Sequence, residues 1–170
     1  MAKPDLTQVP SFYHGYINHV QEDDILLAFR LQEPVIENFV AGIPPEKYDF
    51  KYSPGKWTIR EVVQHMIDAE RIFSYRALCF ARNDSTPLPG FDENEYVNNS
   101  MATTRNWEDL RLEFLSVRKS SELLFKSFNE EQLMSNGIAN NSSIIVLGIG
   151  FVIVGHVAHH IRILKERYLV

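Results

Sequence analysis

The sequence predicts an all-α chain folded as a four-helix bundle, in up-down-down-up order with a long crossover between the second and third helices. Three observations carry this. Four stretches repeat apolar residues at the spacing of one helix face, and clusters of Gly, Pro and Asn separate them. No stretch shows a convincing strand pattern. A length of 170 residues with 45% hydrophobic and 23% charged residues suits one globular core. Residues 13–170 are therefore read as a single domain, and residues 1–12 as a flexible N-terminal arm.

The first helix is expected from His14 or Asp23 to Ala41, with Ile25, Leu26, Phe29, Val35, Ile36, Phe39 and Val40 inward. Pro34 removes one backbone donor, so a kink or break is expected there, and Gly42 with Pro44-Pro45 ends the helix. Ser53-Pro54-Gly55 marks a turn. The second helix starts at the N-cap Thr58, where Glu61 completes a capping box, and runs to about Arg82. Its apolar face is Ile59, Val62, Val63, Met66, Ala69, Phe73, Ala77 and Phe80.

The segment from Asn83 to Arg105 holds Pro87, Pro89 and Gly90 and is not expected to form one regular element. Asn106 caps the third helix, which extends to about Phe128 with Leu110, Phe114, Val117, Leu124 and Phe128 inward. Ser135-Asn136-Gly137 and Asn140-Asn141-Ser142 read as a turn, and the fourth helix follows from about Ser143 to Leu169.

Composition also excludes partners. A net charge of −5 and a pI of about 5.7 argue against nucleic acid, which needs a basic excess. Met1 to Pro10 lacks a signal-peptide core, and the apolar run Ile144–Val154 reads as too short to span a bilayer, so no membrane is expected. The lone Cys79 excludes an internal disulfide and fits a reducing compartment, with the cytoplasm as the expected address.

Chemistry concentrates in the histidines. His156 and His160 stand four apart, so on a helix their Cβ atoms lie roughly 6 Å apart on one face and can chelate one ion. The plainer reading of the pair is two polar residues near the end of a core helix. His65 shifts the balance, because it sits at the edge of the second helix's apolar face beside Val62 and Ala69. His65 lies roughly 10 Å from the start of its helix, and the pair roughly 14 to 20 Å from the end of theirs. These levels approach each other only if the two helices run antiparallel. That order needs a long crossover, and roughly 23 residues can span up to about 75 Å.

Three neutral imidazoles leave a coordination position open, the pattern of a catalytic site. Zn²⁺, Ni²⁺, Mn²⁺ and Fe²⁺ are all candidates. His159, three residues from His156, stays open as an alternative to His160 or as a supporting residue, although the i,i+4 spacing favours His160. Glu61 and Asp68 flank His65 and either orient its ring or form a solvated rim. Phe91, Asp92 and Tyr96 are candidates for a pocket mouth. Cys79 lies roughly 21 Å beyond His65 along the helix, too far to share an ion. Arg76 reads as a surface salt-bridge residue before an anion anchor.

The run Tyr52-Ser53-Pro54-Gly55-Lys56-Trp57-Thr58-Ile59-Arg60-Glu61-Val62-Val63-Gln64-His65 resembles the DinB-like (YfiT-like) superfamily. So do Asp68-Ala69-Glu70-Arg71-Ile72-Phe73-Ser74-Tyr75-Arg76-Ala77, Pro87-Leu88-Pro89-Gly90-Phe91-Asp92-Glu93-Asn94 and Gly155-His156-Val157-Ala158-His159-His160. The resemblance covers the chain from about residue 20 to the end, and Cys79 departs from it where a basic residue is expected. It implies the same bundle order, often a homodimer, and a divalent metal on three histidines, here His65, His156 and His160. It also implies a small-molecule substrate. Related members include transferases that act with low-molecular-weight thiols, and others are described as metal-dependent hydrolases. The competing expectation is a non-catalytic bundle that binds a metal or small ligand.

Overall fold

The computed structural model describes residues 2–170. Seven α-helices are present among them: α1 (His14–Ile17), α2 (Ile25–Ala41), α3 (Ile59–Ala81), α4 (Glu93–Asn99), α5 (Trp107–Lys126), α6 (Glu130–Met134) and α7 (Val146–Arg167). The long ones, α2, α3, α5 and α7, form the bundle. Local signals start them where expected. Thr58 and Glu61 make the reciprocal capping box of α3, Asn106 Oδ1 accepts from the Glu108 and Asp109 amides of α5, and Asp24 accepts from the Leu27 amide of α2.

α2 continues through Pro34. Pro34 and its neighbour Val35 lie on the exposed side, as does Arg30, whose carbonyl loses its donor. Val35 is thus not a core residue. With Leu27 and Leu31 it forms an exposed stripe, while Ala28 and Gln32 take inward positions instead.

One expectation fails outright. A two-stranded antiparallel hairpin, β1 (Asn136–Ala139) and β2 (Ser142–Ile145), replaces the plain turn, and the last helix begins at Val146 rather than Ser143. Its loop is Asn140-Asn141 with φ of 48° and 58°, the two left-handed residues that a tight hairpin turn requires. Four-residue strands are too short to show alternation. The hairpin holds the crossover in place: the Leu88 amide donates to Ile138 O (2.9 Å) and Leu88 O accepts from the Asn140 amide (3.1 Å).

The apolar run near residue 150 extends into α7, which by length and composition is long enough to cross a membrane. Because 72% of that window is buried inside the bundle, it is the core helix. The first residues are not separate from this core. Val9 is buried, would meet a Cβ placed at Gly148, and is tied in through His14, whose Nε2 lies 2.9 Å from Val9 O.

The core has two layers. Phe29, Phe73, Ala77, Phe80, Phe125 and the first half of α7 make one. Ile36, Val40, Ile59, Val62, Met66, Leu110, Phe114, Val157 and Leu164 make the other. The start of α3 therefore shares a layer with the end of α7, and the two helices run in opposite senses. Each such side chain contributes about 1.5–3 kcal/mol when fully buried.

At the level where the layers meet, Arg118 donates to Glu70 at 2.8 Å, and both are almost completely buried. Burial pushes the Glu70 carboxyl up, and Arg118 opposes that shift. Removing one partner strands a charge in apolar surroundings. Glu70→Ala is expected to destabilise the fold by about 3–5 kcal/mol in urea denaturation, whereas Glu108→Ala, at an exposed pair, should change the midpoint little.

Candidate metal centre

The antiparallel seam of α3 and α7 brings three imidazoles together. His65 comes from the second turn of α3, and His156 and His160 from consecutive turns of α7. His156 Nε2 lies 3.0 Å from His65 Nε2 and 3.0 Å from His160 Nε2. One ligand atom from each of the three falls within 4.8 Å of the others. His65 and His156 are buried and His160 partly so.

Neighbouring elements fix the rings. Trp57 covers His65 with ring centroids 4.8 Å apart, and the Tyr168 hydroxyl donates to Trp57 O at 3.0 Å, holding that loop. Tyr16 meets His156 edge-on at 5.3 Å. That contact depends on Gly155, where a Cβ would stand 2.0 Å from Tyr16 O, so only glycine lets α1 approach α7 this closely.

Burial keeps the histidines uncharged. His65 is pushed down to about 4 by desolvation, and His160 to about 3 by desolvation and then by its histidine neighbours. His156 is driven well below the usual range, by burial and then by His160 and His65. Three neutral nitrogens facing one point suit a cation. An ion held at about 2.0–2.1 Å by imidazoles in tetrahedral array needs nitrogens about 3.3 Å apart, and the two 3.0 Å separations at His156 are close to that.

Residues 28–164 match the sequence pattern of the DinB superfamily. The chain belongs to that superfamily. Among solved structures it is similar to YfiT from Bacillus subtilis, described as a probable metal-dependent hydrolase with an unusual four-helix bundle topology. The TM-score is 0.70 at 17% identity, over 96% of this chain and 90% of YfiT. No curated protein sequence matches.

Within this DinB-superfamily bundle, His159 lies at the edge of the cluster. Its ring stacks on His19 at 5.7 Å and meets His160 edge-on at 5.2 Å, but the nitrogens that converge are those of His65, His156 and His160, the set that can hold an ion. Glu61 is committed to the Thr58 amide and hydroxyl, and Asp68 accepts from Gln64 Nε2. Phe91 does border the histidine cavity, whereas Asp92 caps α4 and Tyr96 lines other pockets.

The cavity, of about 400 Å³, is also lined by Tyr13, Tyr16, Phe73, Arg76 and Glu93, which the sequence reading did not place there as site residues. Arg76 is not a surface salt-bridge residue. It is 4% exposed and donates to Pro89 O at 2.8 Å. Its signal was available: it stands eleven residues after His65 on the same helix face, and helical side chains lean toward the N-terminus. Glu93 had none, because its place is set by the hairpin that holds the crossover.

The low proton affinity has a measurable consequence. Unfolded histidines titrate near 6.5, so between about pH 6.5 and 4 the unfolded chain binds protons that folded His65 does not. Stability of the metal-free protein is present above pH 6.5 and is lost as pH falls toward 4 and then 3. The slope is about 1.4 kcal/mol per pH unit for each such histidine. Urea midpoints across pH 7.5 to 4.5 measure this, and a flat profile contradicts the buried neutral cluster.

Proposed function

We propose that this DinB-superfamily chain is a divalent-metal-dependent enzyme, a thiol S-transferase or a hydrolase acting on a small molecule. His65, His156 and His160 would be the ligands, and Zn²⁺, Ni²⁺, Mn²⁺ or Fe²⁺ the ion. One observation carries the reading: three neutral imidazole nitrogens converge at the wall of a cavity of about 400 Å³, a size that admits a small molecule. When bound, the ion supplies Lewis acidity, polarising an electrophile or acidifying a thiol or water.

The protein's own groups do the rest. Trp57 and Tyr16 shield two of the histidines and hold their ring planes. Glu93 is the one carboxylate lining the cavity among the described residues, and it also borders the opening beside His160. It is placed to accept the proton that an attacking thiol or water must lose.

Among the described residues no Ser, Thr, Cys or Lys lines the cavity, which favours a nucleophile that enters with the substrates over a covalent enzyme intermediate. Cys79, the chain's only thiol, is packed in the apolar core, so a reacting thiol would have to be a substrate. The same lack of a protein nucleophile supports the second reading, a non-catalytic metal- or small-ligand-binding bundle. A homodimer, as the family resemblance implies, would find an apolar face in Leu27, Leu31 and Val35 of α2.

Elemental mass spectrometry on purified protein loaded with each ion should give about one equivalent per chain for wild type and a loss of at least tenfold in affinity for His65→Ala. Turnover of activated esters or thiol acceptors that tracks metal content supports the enzyme. Stoichiometric metal with no turnover supports the binding module, and no metal with any ion removes the enzyme and the metal-binding form of the module.

A further inference from the structure

Arg76 is one of two buried arginines among the described residues, and the two are treated differently by the fold. Arg118 has Glu70. Arg76 has no ion pair among the described residues; its protein partners are neutral, Pro89 O, bonded through Nη2, and the Tyr13 hydroxyl. A guanidinium carries five donors in a planar fork, and taking it out of water without a carboxylate costs several kcal/mol. One carbonyl, a hydroxyl and an aromatic face offset part of that cost, but no carboxylate pairs with the side chain, which is 4% exposed.

The place of this charge says what can neutralise it. Arg76 lines the same cavity as the three histidines. Its Cζ stands 5.7 Å from the centroid of Phe73, and the centroid of the His156 ring lies 6.2 Å from the same centroid. The guanidinium and His156 thus share one aromatic neighbour, with Tyr13 packed edge-on against it at 5.8 Å. The Tyr13 hydroxyl lies within the field of Arg76, so it can join the guanidinium as a donor. Glu93, the cavity's carboxylate, pairs with nothing here and borders the His160 end rather than Arg76 alone.

We propose that Arg76 is the anchor for an anionic group of the substrate, so that the molecule entering this cavity carries a carboxylate or similar oxyanion across an apolar spacer from its reacting end. Such an anion is held by the free edge of the guanidinium with help from Tyr13, and the aromatic ring of Phe73 packs against the spacer. Arg76 is a positioning and specificity residue, and the substrate assignment rests on the metal-centre reading above. The anion subsite itself needs no metal, which makes the two separable.

The test is calorimetric titration of the metal-loaded protein with 3-phenylpropionate and with its neutral twin, 3-phenylpropionamide. One charge-assisted contact of this kind corresponds to about a 10- to 100-fold preference. Wild type is expected to favour the carboxylate by about that factor, and His65→Ala to retain the preference. Arg76→Met should abolish it while leaving the amide's affinity unchanged, and Arg76→Lys should keep part of it. Equal affinity for the two probes in wild type, or no binding of the carboxylate, overturns the proposal. So does a preference that survives Arg76→Met and disappears in His65→Ala, which would put the carboxylate on the metal and leave the metal-centre reading standing. A preference lost only in Arg76→Met, in a protein that takes up no metal, sinks the metal centre and leaves the anchor.

Discussion

Three uncharged imidazoles buried against one another at the α3–α7 seam are the constraint around which this bundle is arranged. His156 Nε2 lies 3.0 Å from both partners, and desolvation keeps protons off the cluster. Such a group of lone pairs is tolerable only if the rings are held by their surroundings and if something electropositive can meet them. The antiparallel sense of α3 and α7 sets the three at one level. Gly155 admits α1, and with it Tyr16, while Tyr168 holds the loop that carries Trp57.

A second constraint is charge at the middle of the bundle. Glu70 and Arg118 occupy the junction of the two apolar layers, and Arg118 adds to the fields that depress His156. The cavity opens beside this junction under the crossover. Leu88, clamped to the β1–β2 turn, fixes where the chain turns, and Phe91 and Glu93 follow at the cavity wall. A hairpin of eight paired residues thereby shapes a site to which it contributes only Asn140.

What the sequence disclosed followed how local each signal was. The capping box at Thr58, the cap at Asn106 and the Ser53-Pro54-Gly55 turn, where Gly55 has φ of 75°, are decided within four residues and were legible. So was the convergence of His65, His156 and His160, because i,i+4 spacing and an inward-facing third histidine are visible along a helix. The hairpin was not, since its strands are too short for a pattern and only the paired Asn residues hint at it. Val35 was misplaced because burial in α2 follows the packing of Ala28, Gln32 and Ile36 rather than hydrophobicity alone. The burial of Arg76 and the approach of Glu93 are tertiary facts, produced by the crossover folding back over the helix.

The claim on which the account stands is that one ion sits on these three nitrogens. X-ray absorption at the zinc edge of Zn²⁺-loaded protein reads that coordination directly. The account predicts three imidazole nitrogens at about 2.0–2.1 Å with at least one further oxygen, and no sulfur. A shell with sulfur near about 2.3 Å, or one lacking the outer scattering of three imidazole rings, would contradict it.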